Sequence, residues 1–99
     1  MLTELDTRRR PPAYPVPWRI DRADPAHPLV SLTGREPCDF VRVFVADEVR
    51  PVSTENWGLV LPDEVCELCL CDRDLTRVLV SLSWYRPGED REYLWRFSI

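Results

Sequence analysis

The chain has no lysine: its 13 basic residues are all arginine, set against 17 acids for a formal charge of −4. That balance argues against a general nucleic-acid binder, whose affinity comes mostly from neutralising phosphates. The missing lysine reads as the codon bias of a GC-rich bacterial genome rather than selection for bidentate contacts, because nothing in the sequence gathers the arginines on one face. Glycine is also scarce, three in 99 residues, and no phosphate-cradling loop can be drawn. The single histidine, His27, lies between Ala26 and Pro28 in a turn, a poor position for a general base. No apolar run approaches the ~18 residues of a membrane span, and no segment keeps a convincing helical period. The N-terminus is charged with no apolar stretch behind it, so it does not read as a signal peptide. The expectation is a cytoplasmic chain with reduced cysteines, no cofactor, and neither nucleic acid nor membrane as partner.

What is present is alternation. Val78, Val80, Leu82 and Trp84 alternate with Leu79, Ser81, Ser83 and Tyr85; Arg86-Pro87-Gly88-Glu89-Asp90 interrupts; then Tyr93, Trp95, Phe97 and Ile99 alternate with Leu94, Arg96 and Ser98. Two period-2 segments around a Pro-Gly break predict a β-hairpin. Pairing Pro87 with Asp90 around Gly88-Glu89 sets Trp84 opposite Tyr93, Leu82 opposite Trp95 and Val80 opposite Phe97, and suits a type II′ turn. The alternative pairs Arg86 with Glu89 around Pro87-Gly88, which is type II chemistry. Both registers put the same residues on the same face.

Upstream, residues 1–13 read as an Arg/Pro-rich flexible arm before a single domain spanning 14–99. Pro11-Pro12-Ala13-Tyr14 fits a WW-type ligand and Arg9-x-x-Pro12-x-x-Pro15 an SH3-type ligand, though prolines here also serve as a stiff lead-in to a first strand. Strands are predicted at Val16–Ile20 (an edge), Leu29–Thr33, Phe40–Ala46 (central), Trp57–Leu61 and Val65–Cys71, with Asp47–Asn56 a loop or short edge strand. With the hairpin these make about seven short strands with regularly spaced turn signals, the pattern of an all-β sandwich of two antiparallel sheets. Leu29-Val30-Ser31-Leu32-Thr33-Gly34, a polar loop, and Phe40-Val41-Arg42-Val43-Phe44-Val45 resemble the B–C strand pair of bacterial Ig-like modules of the CARDB or fibronectin-III sort. Trp57 through Leu61-Pro62-Asp63-Glu64 is similar to their strand running into Pro-Gly-Glu, with Asp63 where glycine is usual. The resemblance implies an Ig-like sandwich used as a spacer or adhesive module, and no catalytic residue.

The cysteines carry the remaining chemistry. Cys66-x-x-Cys69 has the spacing of half a zinc site, with Cys38 or His27 available to complete it. On a strand, however, Cys66 faces away from Cys69 and Cys71, and buried free cysteine is commonly a small apolar residue. Asp72-x-Asp74 beside Asp63, Glu64 and Glu67 reads as a solvated turn rather than a calcium loop. The functional expectation is therefore a non-catalytic protein-interaction or self-association module that binds a protein partner or a second copy. It would do so through Trp84, Tyr93, Trp95, Arg86, Arg91 and Arg96. The alternative is a metal- or redox-responsive protein using Cys66, Cys69 and Cys71, with Cys38 as a further candidate ligand.

Overall fold

Strand alternation decides which side chains can meet across a sheet, and here it divides the chain cleanly. The computed structural model describes residues 14–99, so the predicted arm at 1–13 and its Pro-rich motifs lie largely outside the described residues. Seven strands form: β1 Trp18–Asp21, β2 Leu29–Leu32, β3 Cys38–Ala46, β4 Ser53–Val60, β5 Val65–Glu67, β6 Leu79–Tyr85 and β7 Glu92–Ser98. They build two antiparallel sheets, ordered β1-β2-β5 and β4-β3-β6-β7. The predicted all-β sandwich is what the chain adopts. Among the described residues no helix is long and apolar enough to cross a membrane.

The core lies between the sheets. Val30 and Leu32 enter it from β2, Val41, Val43 and Val45 from β3, Val80, Leu82 and Trp84 from β6, and Phe97 from β7, each almost without exposure. Burying one such side chain is worth about 1.5–3 kcal/mol, so this double row is the main favourable contribution to folding. β3 is central, as its doubly apolar pattern predicts, and β1 is an edge.

The terminal hairpin pairs Val80 with Phe97, Leu82 with Trp95 and Trp84 with Tyr93. Its turn is the one associated with the other register. Glu89 N–H donates to Arg86 O at 3.1 Å and Gly88 has φ of 76°, the geometry of a type II turn with Pro87 and Gly88 in the middle. Tyr85 and Glu92 are the last partners. The type II turn therefore sits inside a loop over residues 86–91, too long for its twist to splay the strands.

The hairpin's aromatic face closes on the chain itself. Trp84 is 2% exposed, packs edge-on against Trp18 and donates its indole N–H to the Tyr14 hydroxyl at 3.2 Å. Tyr93 stacks on Trp84 and meets Tyr14, while Trp95 packs on Phe97. Arg86 pairs with Glu36 at 2.6 Å and lies over the Tyr14 ring at 4.2 Å. Arg91 donates to the Tyr93 hydroxyl. Of the six residues expected to bind a partner, Trp84 is core and Arg86 is a clasp over Tyr14 in the segment leading to β1; Tyr93 and Trp95 are half-buried beside the core. Only Arg91 and Arg96 are exposed. These aromatics share the row that faces the other sheet, which is why they are covered while Leu79 and Leu94 on the opposite row stay exposed.

Irregularities interrupt the ladders, among them an extra residue, Trp57, on β4 between the partners of Val41 and Arg42. In β3, Asp39 stands opposite Tyr85 and Arg42 opposite Ser83, so Phe40 and Val41 together face Trp84 alone. This bulge lets Cys38 and Val41 both point inward and throws Phe40 outward with φ of 51°, 70% exposed. A left-handed conformation at a bulky residue costs of order 1–3 kcal/mol. A further interruption follows β5 and builds the site described next.

Candidate metal and thiol centre

β5 ends at Glu67, four residues short of the predicted Val65–Cys71, but the chain keeps running beside the β1–β2 connection. Leu68 N–H donates to Pro28 O at 3.0 Å and Leu70 N–H to Ala26 O at 2.8 Å. Both leucines are buried at 1% exposure. With Leu68 and Leu70 pointing inward, the extended backbone forces Cys69 and Cys71 outward on one side.

The other half of the site is a tight turn. His27 N–H donates to Asp24 O at 2.9 Å, and Ala26 N–H to Asp24 Oδ1 at 3.2 Å. Pro25 and Pro28 stiffen the same segment. This turn carries His27 directly beneath the two cysteines. His27 Nε2 lies 3.0 Å from Cys71 Sγ and 3.8 Å from Cys69 Sγ, and the two sulfurs are 2.7 Å apart. The opposite ring nitrogen, Nδ1, faces Asp24 Oδ2 at 3.3 Å. Beyond Cys71 the chain is pinned by Arg73. Its Nη2 donates to Pro51 O and Ser53 Oγ, and its Nη1 lies 3.4 Å from Asp47 Oδ2, with both side chains screened from solvent.

The electrostatics follow from these contacts. The two thiols share a proton across their contact, which holds one of the pair, Cys69, below its ordinary range and pushes Cys71 up. The bond to Asp24 raises His27. Elsewhere burial pushes Cys38 up to about 11 and raises Cys66. Cys38 is enclosed in β3, and Cys66, paired with Val30, leans half-buried on the core. Neither is among the three donors that converge. Strand alternation separates Cys66 from Cys69.

The three donor atoms of His27, Cys69 and Cys71 lie within 4.8 Å of one another. A tetrahedral Zn²⁺ with ordinary bond lengths needs about 3.8 Å between two sulfurs and about 3.6 Å between sulfur and nitrogen. The Cys69–His27 distance already fits. Cys71 Sγ must move out by about 0.6 Å from His27 Nε2 and about 1 Å from Cys69 Sγ, which a small χ1 rotation of an exposed side chain supplies. Of this set the sequence named all three residues but not their grouping. It missed Asp24, although an Asp-x-x-His turn between prolines is the available signal.

No protein-family model matches the chain, and neither the curated proteins nor the solved structures include a match to it.

Proposed function

We propose that this chain is an Ig-like sandwich module that binds a soft metal ion, Zn²⁺ in the first place, through His27, Cys69 and Cys71. The observation that carries this reading is the convergence of two thiols and one imidazole whose far nitrogen is held by a carboxylate. That carboxylate–histidine pair is the arrangement that fixes ring tautomer and orientation at metal sites. Thiolate and imidazole together select Zn²⁺ or Cu⁺ over hard cations such as Ca²⁺ or Mg²⁺. Three protein donors at an exposed position leave a fourth place for water or an added ligand. A reducing, cytoplasmic setting keeps such thiols available. The sheet order supports the Ig-like resemblance: β1-β2-β5 follows the A-B-E grouping, and β3-β6-β7 follows C-F-G, with β4 in the place of C′.

The test is titration of the reduced, metal-free chain with Co²⁺, followed by displacement with Zn²⁺. One equivalent should bind and produce sulfur-to-cobalt charge-transfer absorption together with visible bands of tetrahedral intensity. Cys69→Ser and Cys71→Ser should each abolish the charge-transfer band of the wild type or halve it. Cys38→Ser and Cys66→Ser should leave it unchanged. Asp24→Asn should weaken binding by about 10- to 100-fold, as loss of an orienting partner does. Binding that survives substitution of both Cys69 and Cys71, or no binding at micromolar metal, overturns the proposal.

A further inference from the structure

The geometry points to a second binding site, independent of the cysteine centre, on the outer face of the four-stranded sheet. The cleft between Phe40 and Tyr85 receives the cationic side chain, arginine or lysine, of a basic partner peptide.

The argument starts from Phe40. Its backbone is left-handed and its ring is 70% exposed, so neither the local conformation nor the core gains from phenylalanine at this position. Glycine or asparagine would hold the same bulge with less strain and no apolar surface in water. Phe40 does have one neighbour, the Tyr85 ring, edge-on at 5.9 Å between centroids. The two rings form a corner in a cleft of about 600 Å³ lined also by Asp39, Arg42, Asn56, Glu89 and Asp90.

Charge then selects the ligand. Arg42 is held by Glu92 at 3.1 Å, which balances the one base at the cleft. Glu89 is shared between Arg86 and the Tyr93 hydroxyl. Asp39 and Asp90 have no ion-pair partner among the described residues. Asp39 and Asp90 beside the two rings favour a cation: the ring quadrupole holds it over the face and the carboxylates bond its N–H groups. The same groups repel phosphates and carboxylates. A guanidinium, flat and able to stack while donating sideways, matches the corner best.

Fluorescence anisotropy with labelled penta-arginine amide, and with penta-citrulline as the neutral isostere, tests this on the full chain at physiological salt. The arginine peptide should bind and the citrulline peptide should not. Phe40→Gly, which keeps the bulge, and the double variant Asp39→Asn/Asp90→Asn should each weaken binding about ten-fold or more. Glu48→Gln/Glu67→Gln, which removes the same charge elsewhere on the surface, should leave it within about two-fold. Equal weakening by that control pair, or none by Phe40→Gly, overturns the proposal in favour of diffuse attraction to an acidic protein. Sedimentation of the chain alone supplies the other decisive outcome. A concentration-dependent dimer abolished by Phe40→Gly would put a second copy in the cleft in place of a partner peptide.

Discussion

The two cysteine-rich and aromatic-rich regions of this molecule are handled in opposite ways. In the terminal hairpin every strand residue has a partner in register, and Trp84, Trp95, Tyr93 and two of its three arginines, Arg86 and Arg91, are spent on internal contacts. At the β5 end and at the β3 bulge, where pairing fails, the side chains that emerge are two thiols, an imidazole and a solvent-exposed phenylalanine. A regular ladder hides the row that faces the second sheet and leaves only its outer row, here Leu79, Leu94 and Arg96, in solvent. Interruptions of the ladder are where chemistry reaches solvent.

The largest effect that separates the two is on stability. Trp84→Ala, inside the ladder, should cost about 3–5 kcal/mol, read from urea unfolding. A loss below about 1 kcal/mol would mean that Trp84 is not the core residue its 2% exposure makes it. Next comes thiol reactivity with a water-soluble disulfide reagent. Cys69 should react first and Cys38 last, because Cys38, pushed up to about 11, holds roughly a hundredfold less thiolate at neutral pH than an ordinary thiol. Equal rates for the four thiols would erase the distinction between ladder and interruption.

Smaller effects sharpen the contrast. Gly58 has φ of 68° with open space around the position of a Cβ, so Gly58→Ala should cost about 1–2 kcal/mol through the backbone alone. The Asp47 carboxylate is held below its ordinary range, first by the amides of Arg50 and Val49 and then by Arg73. A lowered folded-state value contributes stability above the unfolded carboxylate pKa and loses it as pH falls through the lowered one. Acid unfolding of Asp47→Asn should therefore show a shallower loss of stability below about pH 4 than the parent chain. The smallest change is expected of Phe40→Gly, within about 1 kcal/mol of the parent and of either sign, because relief of strain offsets the added chain entropy of glycine. A loss as large as that of Trp84→Ala would make Phe40 structural and remove the reason for reading a ligand site there.

How much of this was legible before folding differs by element. The pairs Trp84–Tyr93, Leu82–Trp95 and Val80–Phe97 were readable because a hydrophobic alternation on both sides of one turn has few ways to close. The opposed facing of Cys66 and Cys69 was readable from the same period. The turn type was not, since a type II turn fits once the loop extends to 86–91. Nor was the burial of Trp84, because alternation says that a row is apolar without saying what lies across from it.

Local pattern by itself determined that strands form in these segments and that β3 is central, since those depend on neighbours one or two residues away. It did not show that β4 would begin at Ser53, inside the segment read as a loop or short edge strand, or that β5 would stop at Glu67. Only the tertiary structure decided that Ala26 and Pro28 would accept hydrogen bonds from Leu68 and Leu70, and so that His27 would lie under Cys69 and Cys71. It alone decided, too, that an extra residue in β3 would turn Phe40 out toward Tyr85. Contacts between segments some 40 residues apart are set by how two sheets pack and where their pairing slips, and no short-range periodicity encodes either.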